Sequence, residues 1–277
     1  LDHKWLIAGV TGAFMVAGVA YALLATPVYQ ANALIQVEAK KNDPMGFSDI
    51  SSMLGKESPS ATEIELIKSR KNIGAAVDNL QLDIVVEPNR FPLIGAFMAR
   101  RFKPDAENAV ASPLFGMNSY GWGGEELKIS ELVLPAELLG KQLTLVSGEP
   151  GTFTLLDDDD NLLVKGQVGK AIDENGVKLL VEKLRANPGM TFSVFRQPRL
   201  STILGYQTSL DISERGKESG MIGMALEDTD PAAAIKTLNE IARLYVQQNI
   251  ERTSAEAAQS LGFLKDQLPQ VRKDLEK

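Results

Sequence analysis

Residues 5–25 read WLIAGVTGAFMVAGVAYALLA, without one charged side chain. Wound as a helix with a rise of about 1.5 Å per residue, such a segment reaches across the ~30 Å hydrocarbon layer of a bilayer. It exceeds the roughly 7 to 15 apolar residues of a secretory leader, and Trp5 at its start favours the membrane–water boundary. The sequence therefore predicts an uncleaved transmembrane helix; AYA at 20–22 is the feature that favours a cleaved leader. His3 and Lys4 precede the span and no lysine or arginine follows before Lys40 and Lys41, so the amino end is expected in the cytoplasm and residues from 27 onward outside it. Gly9, Ala13 and Ala17 recur every four residues. That spacing suits close helix packing in a membrane, and equally the general abundance of small residues in spans.

Working outward, VYQANALIQVEAK (28–40) alternates, with Tyr29, Ala31, Ala33, Ile35 and Val37 on one face, which predicts a half-buried strand leaving the membrane. A turn-rich stretch (41–60) reads as a loop. Ser60 and Glu63 have capping-box spacing, and one helix is expected from there to Leu80, with Leu66, Ile73, Val77 and Leu80 forming its apolar stripe. Arg70 stands on that stripe with Leu66 and Ile67 at the preceding helical positions, so it either meets a carboxylate on another element or subunit, or lays its stem along the stripe with its head in water. LDIVVEP (82–88) reads as a strand. NRFPLIGAFMARRFKP (89–104) reads as a short helix, suited either to an anionic lipid surface or to a domain interior with solvated basic ends.

From Ser112 to Pro198 short strand-like runs alternate with glycine, asparagine, aspartate and proline, the texture of a compact antiparallel sandwich or barrel inserted into the first unit. RLSTILGYQTSL suggests a short helix, and LDISER and SGMIGMALED suggest strands returning to the first sheet. Asp230 and Pro231 then cap and open a helix without a strong stop, with Ile235, Leu238, Ala242 and Tyr245 facing one way. Its last part, SLGFLKDQLPQVRKDLEK (260–277), sets Leu261, Leu264, Leu268, Val271 and Leu275 at steps of three and four, the seam of a helix that packs on other helices. Pro269 inside that seam removes a donor and predicts a bend.

The expected architecture is thus an α+β membrane protein: stub and transmembrane helix (1–28), a membrane-proximal α/β unit (29–111), an inserted antiparallel β-sandwich-like domain (112–198), return strands (199–230) and a long projecting helix (231–277).

The chain has no cysteine and one histidine, which removes disulfides, thiolate metal sites, thiol nucleophiles and histidine clusters. A net charge of −7 without a basic stripe argues against nucleic acid. No phosphate-binding loop, nucleophile elbow or zinc-protease motif occurs, so neither a catalytic nor a cofactor site is predicted in 1–277. Asp157 to Asp160 lack the alternation and turn glycine of a calcium loop and read as a solvated hairpin tip. FGMNSYGWGG offers Phe115, Tyr120 and Trp122 either as a sugar-stacking platform or as core aromatics.

Four stretches, TPVYQA, EIELIKSR, GMIGMALEDTDP and above all SLGFLKDQLPQVRKDLE, resemble the polysaccharide co-polymerase family with its Wzz-type chain-length determinant domain, in particular the Wzc/Etk-like bacterial tyrosine autokinases. The resemblance implies an inner-membrane protein whose long helix bends near a proline matched by Pro269 and returns to a second span, with subunits gathered in a ring, octameric in the best-known cases. It implies control of assembly, chain length and export of capsular or extracellular polysaccharide, alongside a polymerase and an outer-membrane export protein. It also implies a kinase region beyond Lys277 using ATP and magnesium. Two other classes share parts of this outline: a periplasmic adaptor of an export pump, whose lipoyl half-motifs are not found here, and a receptor ectodomain.

Overall fold

The computed structural model describes residues 4–37, 59–104, 106, 109–216 and 219–275, with the side chains of 59, 264 and 266–275 outside that set. In chain order the first elements are α1 (Lys4–Leu24), β1 (Tyr29–Gln36), α2 (Pro59–Lys68), α3 (Arg70–Leu80), β2 (Ile84–Pro88) and α4 (Gly95–Arg101). Seven strands follow: β3 (Glu126–Val133), β4 (Gln142–Ser147), β5 (Thr152–Leu156), β6 (Leu162–Gln167), β7 (Ile172–Glu174), β8 (Val177–Arg185) and β9 (Thr191–Arg196). The last are α5 (Arg199–Ser209), β10 (Asp211–Glu214), β11 (Met221–Asp228) and α6 (Pro231–Leu275). They form a mixed α/β chain in two compact units, residues 1–27 with 81–202, and residues 28–80 with 203–277. The stretch read as a loop lies outside the described residues up to position 58.

In the first unit α1 is long and apolar enough to cross a membrane, and none of its side chains is buried. Gly9, Ala13 and Ala17 are all exposed on it. The strands form a five-stranded sheet, β2-β9-β4-β5-β6, and a three-stranded sheet, β3-β8-β7, antiparallel throughout. Side chains of both sheets enter one core, among them Leu132, Leu143, Leu145, Phe153, Leu155, Val181 and Phe192. Alternating burial along β4 and β5 places every second residue inside, as period-two patterning requires.

The β-rich unit begins near residue 81 rather than at 112, because Ile84–Pro88 pairs with β9, Val86 opposite Val194. That pairing joins residues over a hundred positions apart, which local periodicity does not reveal. Asp83 fixes the entry to β2: its carboxylate pairs with Arg196 at 2.9 Å and its carbonyl accepts from the Gln197 amide at 2.8 Å. At the hairpin tip, Asp157 Oδ1 accepts from the amides of Asp159 at 2.9 Å and Asn161 at 2.8 Å. These bonds, with the Asn161 side chain first among the causes, hold the Asp157 carboxyl below its usual range. The aspartates close a turn, and no metal-binding group of acids occurs among the described residues.

The second unit is built on the antiparallel sheet β1-β11-β10. Strand β1 buries Ala31 and Ile35. In the central strand β11, Ile222 to Leu226 are buried without alternation, so both faces are covered. Over Gly223 lies the Arg215 side chain, which a Cβ there would displace, its Nε being 2.5 Å from that position.

The helix expected from Ser60 to Leu80 is two helices broken at Ser69. Ser69 Oγ accepts from the Asn72 amide at 3.3 Å and so opens α3. The carbonyls freed at the break are taken by side chains: Asn72 Nδ2 donates to Ile67 O at 3.0 Å and Gln207 Nε2 to Lys68 O at 2.7 Å. Asn72 also donates to Ile241 O on α6 at 3.3 Å. The predicted capping box gives way to long-range pairs, with Ser60 Oγ donating to Glu214 at 2.9 Å and Glu63 reaching α6.

Candidate functional site on the long helix

Helix α6 starts as the sequence dictates. Asp230 Oδ1 accepts from the Ala232 amide at 2.8 Å and Pro231 occupies the first helical position. Its buried stripe is Ala234, Thr237, Leu238, Ile241 and Tyr245, which packs on α3 and the sheet. The face differs by one position from the expected one: Ile235 is 53% exposed and Ala242 only half-buried.

Two polar clusters hold this docked part. Glu63 on α2 accepts from the Tyr245 hydroxyl at 2.8 Å and from Arg252 at 2.8 Å, while Arg252 also donates to Asn249 at 2.9 Å. Burial, and then the neighbouring Glu63, push the Tyr245 phenol well above its ordinary value, so it stays a donor at all physiological pH. Replacing it in Tyr245→Phe leaves Glu63 with Arg252 and is expected to cost about 1 kcal/mol in denaturant unfolding; no change would show the hydroxyl contributes nothing. A cleft of about 250 Å³ beside the cluster is lined by Leu66, Lys71 and Gln248.

The second cluster joins Asn79 on α3 to Glu240 at 2.8 Å, and Glu240 to Arg243 at 2.6 Å. The Arg243 bonds, foremost among the causes, bring the Glu240 carboxyl down to about 2. A depressed folded value stabilises the protein above the unfolded carboxyl pKa, and that contribution fades as pH falls toward about 2. Because Arg243 is largely in water, the effect is small. Glu240→Gln should therefore flatten the acid limb of the stability profile between about pH 4.5 and 2, measured by thermal melts; an unchanged limb contradicts the assignment.

Beyond Arg252 the character of α6 changes. Every described side chain from 253 onward is exposed, including Leu261 at 60% and Phe263 at 63%. Of the predicted seam, only Leu261 has a described side chain; those of Leu264, Leu268, Pro269, Val271 and Leu275 lie outside the described set. The helix is continuous to Leu275 in its backbone, so the predicted bend at Pro269 is not seen as a break. Arg70 is exposed at the first position of α3, without an ion pair among the described residues. Of the three aromatics, Trp122 is interior, stacked on Phe91 at 5.8 Å, with Tyr120 edge-on to the same ring at 5.5 Å, while Phe115 is exposed. They do not form one stacking platform.

Comparison with known proteins finds two family matches along the chain. Residues 1–80 match the family model described as chain length determinant protein (Wzz), and residues 84–197 match the N-terminal domain of tyrosine-protein kinase Wzc. The chain belongs to the Wzz/Wzc co-polymerase family. The second match lies within the 81–202 stretch of the first unit. Among its relatives are the putative tyrosine-protein kinase EpsB of Ralstonia nicotianae, 39% identical over 99% of this chain, and the tyrosine-protein kinase etk of Escherichia coli strain K12, 38% identical over 99%. The tyrosine-protein kinase wzc of Salmonella typhimurium strain LT2 is 34% identical over all of it. The chain spans only 37%, 35% and 36% of those three relatives respectively. A solved FlgL of Xanthomonas campestris aligns at 15% identity with a TM-score of 0.24, too low to bear on the fold.

Proposed function

We propose that residues 1–277 are the anchored, outward-facing part of an inner-membrane polysaccharide co-polymerase. In this reading α1 crosses the membrane with its amino end in the cytoplasm, and the rest lies in the periplasm. Copies gather in a ring through the exposed part of α6, bent near Pro269, with Arg70 available to an acidic group of a neighbour. The ring sets the assembly, length and export of a capsular or extracellular polysaccharide together with a polymerase and an outer-membrane export protein. The names of the relatives support a tyrosine autokinase region elsewhere in the protein, which would be the part that uses ATP and magnesium.

The observation that carries this reading is the succession of the Wzz match over residues 1–80 and the Wzc match over residues 84–197 along one chain. The test is complementation. Cells lacking the protein are expected to lose long polymer of defined length, and the wild-type gene to restore it, as read on sized polysaccharide. An unchanged polymer profile without the protein overturns the reading.

A further inference from the structure

The segment around α4 presents exposed apolar and basic side chains. At its basic end Arg100 Nη2 lies 3.3 Å from Leu24 O and 3.2 Å from Ala25 O, the last carbonyls of α1. Terminal helix carbonyls have no partner within their own helix, and a guanidinium satisfies them while complementing the dipole. If α1 spans a bilayer, as proposed above, those carbonyls mark the level at which it leaves the hydrocarbon. The bonds to Arg100 therefore set α4 at the headgroup level of that leaflet.

The side chains there suit that level. Leu93 is 80% exposed and sits at φ 67°, an unfavourable backbone region for a leucine, while Ile94 and Met98 are also exposed. Arg101 lies over the Phe97 ring at 4.4 Å, and it and Lys103 are exposed. The chain as a whole carries a net charge of −7, so three cations within four residues form a local exception; the acids that follow, Asp105 and Glu107, lie outside the described residues. Apolar bulk flanked by cations, held where a span ends, fits the boundary between acyl chains and anionic headgroups.

We propose that residues 91–103 are a membrane-surface foot of the first unit: Leu93, Ile94 and Met98 enter the headgroup–acyl boundary, and Arg101 and Lys103 bind the phosphates of anionic phospholipid. This rests on the transmembrane reading of α1, and the experiment separates the two. Residues 1–277 hold no cysteine. Single cysteines at Leu93, Phe14 and Asp158 of the full chain, labelled with a small fluorophore, report contact with brominated lipid in nanodiscs containing phosphatidylglycerol. Labels at Phe14 and Leu93 are expected to be quenched at least twofold, and the label at Asp158 not at all.

Quenching at Phe14 without quenching at Leu93 overturns the foot and leaves the span intact; quenching at neither site overturns the span. A Leu93 label shielded from aqueous iodide yet untouched by brominated lipid points to a neighbouring copy and also overturns the foot. Arg101→Glu with Lys103→Glu should roughly halve the Leu93 quenching and leave Phe14 unchanged. Unaltered quenching at Leu93 overturns the headgroup contact.

Discussion

Glu125→Ala is expected to destabilise the β-rich unit by about 3–5 kcal/mol, the range for removing one partner of a buried, charged cluster. The Glu125 side chain is 1% exposed, and it accepts from the backbone amides of Trp122 and Gly123 and from Arg90 Nη1 at 2.7 Å. Alanine leaves two amides and a guanidinium without their acceptor. Glu125→Gln keeps one oxygen for the amides and loses the charge, so a smaller cost, about 1–2 kcal/mol, is expected. Trp122 fluorescence in a Trp5→Phe background reports the unfolding of this unit. Equal stabilities for Glu125→Ala and wild type would show that the carboxylate is not what organises the loop.

The loop also explains its own glycines. Gly123 has a φ of 143°, and a Cβ on it would lie 2.3 Å from the Phe102 side chain. The chain reverses around a buried carboxylate while Trp122 packs on Phe91, which leaves no room for a side chain at that position.

Leu261→Glu combined with Phe263→Glu should abolish assembly while leaving the protomer folded. Both side chains are exposed in the protomer, so its stability is expected to change by no more than about 0.5 kcal/mol. Burial of each against a neighbouring helix would contribute ~1.5–3 kcal/mol. Losing both weakens each contact more than about a hundredfold. Particle mass at micromolar protein should fall to that of the protomer, and polymer length control should fail with it. An assembly that survives both substitutions would place the contacts elsewhere.

The apolar run of α1, the alternation of β1 and the Asp230-Pro231 opening of α6 were legible because each depends on neighbours within a few residues. The helix break at Ser69 was not, because Asn72 and Gln207 supply the partners for its carbonyls, and Gln207 lies far along the chain. Strand β2 joins the β-rich unit through a pairing with β9 that no local pattern encodes. Ala234 rather than Ile235 faces inward because packing against α3 and the sheet sets the rotation of the helix. Glu125 gave no signal of its own; the flanking glycines of GWGG were the available clue to a close approach. Of the seam on α6, the spacing was readable, and the exposure of Leu261, its one member with a described side chain, gives it a physical consequence. With Leu261 and Phe263 bare, the projecting part of the helix lacks the tertiary packing from which most helical stability in proteins comes.

The most direct test of that consequence is the mass of the full-length protein in lipid nanodiscs, combined with amide hydrogen exchange along residues 253–275. A closed assembly of several protomers, with those amides protected only in the assembled fraction, is the expected result. A solitary protomer in which the same amides are equally protected would contradict the account.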